Sequence, residues 1–277
     1  MSGSTLVSTA ELSRDLSGWR VFDCRHDLAK PELGESQYRQ GHLPGAAFAS
    51  LDRDLSAPKD GSNGRHPLPD PAAFIAWLGQ QGLKSEDRAA CYDGGNGAMA
   101  ARLWWMLRWV GHDKAAVLDG GFAKWVKEGR PVTSEVPRFA PTRYPIRLRT
   151  EAAVDVHEVK HNLGKALLVD ARAPARWRGE SEPIDPIAGR IPGARNRFNV
   201  ENVRADGTFK EPDELKREFE SILGDHRASE VVHYCGSGVA ACHNLLAMEV
   251  AGLSGGKLYA GSWSEWIADP RRPQERG

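Results

Sequence analysis

The chain has 277 residues, enough for two ordinary domains that each bury a core. Its 37 basic and 37 acidic side chains cancel, which argues against nucleic acid or an anionic membrane surface as a partner, and no apolar stretch is long enough to cross a bilayer. The four cysteines, at positions 24, 91, 235 and 242, have neither the density of a disulfide scaffold nor the spacing of a metal motif.

Residues 1–4 lack the basic and apolar regions of a signal peptide, so we expect a reduced, soluble, cytoplasmic protein. A Gly- and Ser-rich segment that ends at Arg65 and His66 is expected to be mobile. The pattern of the first half predicts, in order, a helix over 6–16, a strand over 19–25, a helix over 71–81, a strand over 88–92, a helix ending at 111, a strand over 115–119 and a helix over 122–128.

Prolines at positions 131, 137, 141 and 145 then predict an extended linker. We assign the linker to residues 133–149, a first domain to residues 1–132 and a second domain to residues 150–277. The order of motifs in the first domain returns in the second. The matching pairs are 21–25 with 168–172, 41–46 with 189–194, 92–94 with 234–236, 97–111 with 238–252, and 119–121 with 259–261.

One such match could arise by chance, but several in the same order indicate a tandem duplication. Strands alternate with helices in each copy. The sequence therefore predicts an α/β fold in two domains, each with a mostly parallel sheet flanked by helices.

Cys235 is the candidate nucleophile. An apolar run with a β-branched pair over 230–234 predicts a buried strand, and a helical pattern follows over 238–252. Loop N–H groups and the positive end of a helix favour an anion between them, so a thiol placed there is expected as thiolate. A free cysteine is more often a small buried core residue. We favour the nucleophile because glycines and a strand-to-helix switch accompany it.

The duplication adds an argument about the first domain. Asp93 stands where the second domain has Cys235. A carboxylate cannot perform thiolate chemistry in that position. We therefore expect the first domain to be catalytically inactive.

These motifs resemble those of the rhodanese, or sulfurtransferase, family over nearly the whole chain. Residues 235–239 (CGSGV) are similar to the active loop of the mercaptopyruvate sulfurtransferase branch, and residues 170–172 and 189–193 to two signatures upstream of it. The resemblance implies two tandem rhodanese-like domains. It also implies a persulfide on Cys235, formed from a small-molecule donor and passed to a thiol, cyanide or a thioredoxin-like acceptor, with no metal and no organic cofactor.

The resemblance further implies a catalytic relay of Ser237, His66 and Asp52, with the last two contributed by the first domain. Without the family, His66 is better interpreted as a loop histidine with no partner. Around the sulfur, the resemblance implies substrate contacts from Gly236, Gly238 and Val239.

Arg176 matches the first substrate-binding arginine of the branch. The second arginine, nine residues later, is absent because position 185 is aspartate. Arg190 and Arg195 are two candidates to replace it, and each is otherwise an ordinary surface arginine. The remaining cysteines, at positions 24, 91 and 242, are interpreted as structural.

Gly236 and Ser237 follow the cysteine where the thiosulfate-preferring branch typically has two basic residues. This difference favours mercaptopyruvate as donor, with thiosulfate also accepted. Two alternatives stay open at this point: a thiosulfate sulfurtransferase, and a relay or binding protein in which Cys235 is a passive carrier. A phosphatase of the dual-specificity type needs an arginine six residues after the cysteine. Position 241 is alanine, so we set that alternative aside.

Overall fold

The computed structural model describes residues 5–277 and divides into two compact units. Residues 1–4, which entered the prediction of localisation, lie outside the described residues. The first unit contains the chain through Ala57 together with Pro69–Arg149 and Val203–Phe209. The second unit contains Pro58–Leu68, Thr150–Asn202 and Lys210–Gly277.

The first unit is built on a five-stranded sheet in the order β1-β5-β4-β2-β3, and every pair in it is parallel. Its strands are β1 (Leu6–Val7), β2 (Trp19–Asp23), β3 (Ala47–Phe48), β4 (Arg88–Tyr92) and β5 (Ala115–Leu118). Its helices are α1 (Thr9–Arg14), α2 (Glu32–Gln40), α3 (Pro71–Gln80), α4 (Ala100–Trp109) and α5 (Gly121–Lys127).

The second unit repeats this plan with the sheet order β6-β10-β9-β7-β8, again parallel throughout. Its strands are β6 (Ala153–Val154), β7 (Leu167–Asp170), β8 (Arg195–Asn196), β9 (Val231–Tyr234) and β10 (Lys257–Tyr259). Its helices are α6 (Val156–His161), α7 (Pro174–Trp177), α8 (Pro212–Leu223), α9 (Ala240–Val250) and α10 (Ser262–Trp266). The predicted α/β class with one mostly parallel sheet per repeat is confirmed.

The central strands are mostly apolar because helices cover both faces of a parallel sheet. All residues of β5, β7 and β9 are buried. Each unit has a core in which equivalent aromatic residues recur at the same place. These are Tyr92 and Trp125 in the first unit, and Tyr234 and Trp266 in the second.

In each repeat, the aspartate and arginine of the Asp-x-Arg motif form a buried ion pair, and the arginine also bonds to a loop carbonyl. In the second unit, Arg172 pairs with Asp170 at 2.6 Å and donates to the carbonyl oxygen of Gly189 at 2.6 Å. The first unit has the same arrangement, with Arg25 paired to Asp23 at 2.6 Å and bonded to the Gly41 carbonyl at 2.7 Å. These two motifs therefore join strand to loop in both copies, which is a structural role that does not depend on catalysis.

One prediction of local structure needs correction. The helix predicted over residues 6–16 begins at Thr9, because Leu6 and Val7 form a strand paired with β5 and Ser8 caps the helix in a capping box. Residues 133–149 contain no helix or strand and cluster with the first unit, and their assignment as a linker stays a prediction. Thr133 and His42 exchange two backbone hydrogen bonds of 2.9 Å there.

Residues 58–68 belong to the second unit although they lie within the first repeat of the sequence. Gly64 approaches α10 so closely that an added side-chain carbon would lie 2.7 Å from the Gly261 carbonyl oxygen. The next amide, that of Arg65, donates to Ser264 Oγ at 3.1 Å. These contacts bring Arg65 and His66 to the second sheet. Within residues 5–277, no helix has the length and apolar character needed to span a membrane.

Candidate active site around Cys235

Cys235 lies at the carboxyl end of β9, and residues 235–239, the Cys235 loop, connect that strand to α9. Its Sγ atom accepts hydrogen bonds from the backbone amides of Ser237 at 3.4 Å and Gly238 at 3.1 Å. Amide donors aimed at one sulfur stabilise a negative charge on it without a cationic side chain. The loop can therefore hold a thiolate or the terminal sulfur of a persulfide.

Gly238 makes this geometry possible. Its φ is +76°, and an added side-chain carbon would lie 2.4 Å from the Ala260 carbonyl oxygen. Only glycine combines that backbone conformation with that close approach. Val239 follows as a buried residue, and its carbonyl accepts from the Cys242 amide in the first turn of the helix. Cys242 itself is buried, with Sγ donating to the Gly238 carbonyl at 3.2 Å.

The first residues of α10 hold the backbone of the Cys235 loop through hydrogen bonds. The carbonyl oxygens of Cys235 and Gly236 accept from the amides of Trp263 and Ser264, each at 3.0 Å. The Cys235 amide donates to Ser262 Oγ at 3.1 Å, and that hydroxyl donates to the Tyr259 carbonyl at 2.9 Å. Ser262 is fully buried and is the only non-glycine residue with a positive φ in the part of the chain that the structure describes. Its side chain positions the backbone of the cysteine at the cost of a strained dihedral.

Ser237 and His66 form a buried pair beside the sulfur. Ser237 Oγ lies 2.7 Å from His66 Nδ1, and both residues are buried. The backbone amide of the same serine donates to Cys235 Sγ, so the hydroxyl belongs to a residue that contacts the sulfur. The histidine is thus not a loop residue without a partner: the structure places it where a proton could pass between its ring and the serine.

Asp52, the predicted third member of the relay, belongs to the first unit. It lies in the turn after β3 and is exposed. Its place in the relay stays a prediction.

Two arginines border the loop at Gly236. A side-chain carbon added at Gly236 would lie 2.6 Å from Nη2 of Arg65 and 3.5 Å from Nη2 of Arg176. Burial lowers the pKa of Arg65, although the negative charge available at Cys235 counteracts this effect. Arg176 was predicted from the sequence, whereas Arg65 was missed. The sequence signal for Arg65 was its position directly before His66. Contacts that hold this segment in place position both residues.

Two carboxylates accompany these arginines. Glu182 accepts from Arg176 Nε at 2.9 Å and lies 3.2 Å from Arg172 Nη1. Asp185 forms an ion pair with Arg65 and a second one with Arg176 Nη2 at 3.1 Å. Position 185, where the second arginine of the branch is absent, therefore carries a carboxylate that pairs with both Arg65 and Arg176.

Arg190 and Arg195, the two candidates to replace that arginine, have other partners. Arg190 lies over the ring of Trp177, pairs with Glu275 and donates to the Gly277 carbonyl at 2.7 Å. Arg195 is exposed and donates to the carbonyl of Ile222. These contacts account for both guanidinium groups as structural, and they favour Arg65 as the cation that accompanies Arg176. Within residues 5–277, no cluster of three His, Cys, Asp or Glu side chains is arranged to hold a metal ion.

The equivalent loop of the first unit, residues 93–97 (the Asp93 loop), holds its own anion. Asp93 Oδ1 accepts from the amides of Gly95 at 2.9 Å and Gly97 at 3.0 Å. Its Oδ2 accepts from Met99 at 2.8 Å and Ala100 at 3.3 Å. The amide donors that face sulfur in the second unit are therefore occupied by a resident carboxylate here.

Comparison with known proteins agrees with this geometry. The family model described as "Rhodanese-like domain" matches residues 8–128 and 155–269. A probable 3-mercaptopyruvate sulfurtransferase of Pseudomonas aeruginosa is 44% identical, with 100% of each chain covered. A putative thiosulfate sulfurtransferase of Mycobacterium tuberculosis is 36% identical, with 99% of this chain and 98% of that protein covered.

Among solved structures, the 3-mercaptopyruvate sulfurtransferase of Leishmania major superposes with a TM-score of 0.89 at 32% identity. The match covers 99% of this chain and 76% of that one. Both halves of the sequence match the same domain, and both sheets have the same strand order. The chain belongs to the rhodanese family, with one rhodanese-like domain in each half.

Proposed function

We propose that this sulfurtransferase transfers the sulfur of 3-mercaptopyruvate to a thiol or cyanide through a persulfide on Cys235. The name of the relative from Pseudomonas aeruginosa supports the donor. The neutral Cys235 loop supports it as well, because Gly236 and Ser237 bring no positive charge of their own next to the sulfur.

The chemistry runs in two balanced steps. The Cys235 thiolate attacks the donor sulfur, an S–S bond forms, and the C–S bond breaks with its electron pair left on carbon as the enolate of pyruvate. The proton of the donor thiol is transferred to that carbon, which yields pyruvate and a persulfide anion. In the second step an acceptor thiolate or cyanide attacks the outer sulfur, and the Cys235 thiolate leaves. The donor carbon is reduced as the acceptor gains sulfur, so no external oxidant or reductant is needed.

The observation that carries the choice of donor is the pair of Ser237 and His66 at 2.7 Å. An enolate is a strongly basic leaving group, so its departure gains from a general acid, whereas sulfite leaves from thiosulfate as a stable anion that needs no proton. A proton path beside Cys235 is therefore useful for mercaptopyruvate and superfluous for thiosulfate. We propose Ser237, His66 and the predicted Asp52 as that path.

Arg176 and Arg65 are the proposed anchors for the donor carboxylate, supported by their position at Gly236. A guanidinium recognises a carboxylate through parallel N–H donors. Gly236, Gly238 and Val239 shape the wall around the sulfur. Arg190 is left out of this set because of its contacts with Trp177 and Glu275.

We also propose that the first rhodanese-like domain, residues 1–132, has no sulfurtransfer activity, because Asp93 fills its loop. A thioredoxin-like protein is the proposed physiological acceptor, since it presents a nucleophilic thiol of the required kind. A reducing compartment such as the cytoplasm suits a reaction in which Cys235 must stay free between turnovers.

One second function is favoured by a specific observation. The relative from Mycobacterium tuberculosis is named as a putative thiosulfate sulfurtransferase. The arginines at Gly236 could also attract the SO3 group of thiosulfate. Thiosulfate is therefore the alternative donor for the same persulfide.

Steady-state sulfur transfer to cyanide with each donor, measured side by side, tests the proposal. We expect a higher kcat/KM for mercaptopyruvate than for thiosulfate, and pyruvate released in equal amount to thiocyanate. A higher efficiency with thiosulfate would contradict the proposed donor. Slow loading followed by a single turnover with both donors would instead indicate a sulfur carrier.

A further inference from the structure

Asp185 places a negative charge inside the cluster of cations that borders the Cys235 loop. Its carboxylate pairs with Arg65 on one oxygen and with Arg176 on the other, and its side chain is 3% exposed. The same two guanidinium groups reach the space beside Gly236. An anionic donor that approaches Cys235 from that side meets arginines whose charge is already partly neutralised.

The turn that carries Asp185 is held by a different carboxylate. Glu182 Oε1 accepts the backbone amides of Ile184 and Asp185, each at 3.1 Å. Glu182 also binds Arg176 and Arg172. The fold of the turn therefore does not require a carboxylate on residue 185. The negative charge there acts mainly on its two arginine partners.

We propose that Asp185 determines donor specificity, as a resident carboxylate that competes with anionic donors for Arg65 and Arg176 and penalises a dianion more than a monoanion. The inference rests on the proposed sulfurtransfer at Cys235 and adds a reason for its donor preference. Mercaptopyruvate approaches with one carboxylate charge, whereas thiosulfate carries two negative charges. Coulomb energy scales with the charge of the ligand, so the repulsion from Asp185 is about twice as large for thiosulfate.

The test compares Asp185→Asn, which removes the charge and keeps the shape, with wild-type enzyme. If neutralisation lowers KM for mercaptopyruvate about tenfold, it should lower KM for thiosulfate about a hundredfold, since the free-energy change doubles with charge. The ratio of the two efficiencies then moves towards thiosulfate by about tenfold. Asp185→Glu retains the charge and should retain the wild-type ratio.

Asp225→Asn is the matched control, because Asp225 is an exposed aspartate of the same unit and its loss changes the net charge equally. It should leave both KM values unchanged. Asp185→Ala is a second neutral variant in case Asp185→Asn does not fold. Equal changes for both donors, no change, or a rise in KM would overturn the proposal. A finding that neither neutral variant folds would also overturn it, since Asp185 would then be a structural counter-charge.

A binding measurement separates this inference from the proposed function. Pyruvate and thiosulfate are titrated calorimetrically into Cys235→Ser protein, with and without Asp185→Asn. The inference predicts tighter binding of both anions in the double variant, with the larger gain for thiosulfate. This outcome can be reached even if wild-type enzyme fails to turn over mercaptopyruvate, which would contradict the proposed function alone. Unchanged binding of both anions would contradict the role of Asp185 whatever the enzyme turns over.

Discussion

The Asp93 loop and the Cys235 loop occupy the same place in two copies of one fold, and both are built to hold an anion. The carboxylate of Asp93 accepts hydrogen bonds from four backbone amides. Cys235 Sγ accepts from two amides, and we propose that this sulfur accepts and releases a second sulfur. In both units the strand–loop–helix connection supplies amide donors that favour an anion. We propose that the first residue of the loop, a carboxylate in one unit and a thiol in the other, decides whether that anion is structural or reactive.

The support beneath the two loops differs at one equivalent position. Gly121 and Ser262 both have a φ of +56° at the start of the following helix. The glycine adopts this dihedral without strain, whereas the serine tolerates it and gains a hydroxyl that accepts the Cys235 amide at 3.1 Å. The strained dihedral is thus present at the start of the helix that supports the Cys235 loop, and the equivalent helix of the first unit has a glycine in its place.

Moving the cysteine between the loops is expected to have the largest effect. Cys235→Ser should lower turnover by on the order of a thousandfold or more, because no persulfide can form. Adding Asp93→Cys to that variant should not restore activity, since Gly95 and Asn96 stand where Ser237 provides the hydroxyl. Thiocyanate formation from mercaptopyruvate measures both. Recovered turnover in the double variant would show that the first loop is silent only for want of a thiol.

Removing the proton path should have the next largest effect. Ser237→Ala and His66→Ala are each expected to lower kcat for mercaptopyruvate by roughly a hundredfold, since general acid–base help has that typical size. The rate with thiosulfate should change little because sulfite needs no proton. If both donors lose rate equally, Ser237 and His66 shape the loop and do not transfer protons.

Asp93→Asn should destabilise the first unit by about 2–3 kcal/mol, because an amide nitrogen would face backbone N–H groups that now donate to a carboxylate. Thermal or urea unfolding measures the loss. Asp27→Asn is the matched control, since Asp27 caps the amides of Ala29 and Lys30 at an exposed site and should cost much less. Similar losses in the two variants would deny the Asp93 loop any special electrostatic character.

Ser262 should give the smallest of these effects. Ser262→Ala and Ser262→Gly both remove the acceptor of the Cys235 amide and are expected to lower kcat/KM by about tenfold. The glycine variant should be about 1 kcal/mol more stable than the alanine variant because it relieves the strained φ. Activity and unfolding free energy are measured on both. An activity that follows stability instead of the missing hydroxyl would contradict a positioning role.

The repeat could be predicted from sequence because its motifs are local. The apolar runs of β4 and β9 and the glycines after them fix a strand, a tight loop and a helix within about 25 residues, the range where backbone conformation and periodicity are informative. Cys235 could be proposed as the nucleophile for the same reason. The prediction that the first domain is inactive rests on one residue, Asp93, in the position equivalent to Cys235.

What could not be predicted depends on contacts between distant parts of the chain. The two residues of β1 become a strand only by pairing with β5, more than a hundred positions away. Arg65 lies in a segment without helical or strand periodicity, and its membership of the second unit rests on packing against α10. The sequence showed that position 185 lacks the second arginine of the branch. The ion pairs of Asp185 with Arg65 and Arg176 could be seen only in the folded chain.

Cys235 is the one proposed sulfur carrier among four buried cysteines. Burial raises the pKa of Cys24 well above its usual value, which keeps that thiol protonated and unreactive. Mass spectrometry of peptides after treatment with mercaptopyruvate and alkylation tests the claim directly. We predict one added sulfur on the Cys235 peptide and none on the peptides that contain Cys24, Cys91 or Cys242. Added sulfur on another cysteine, or steady turnover with Cys235 unmodified, would contradict it.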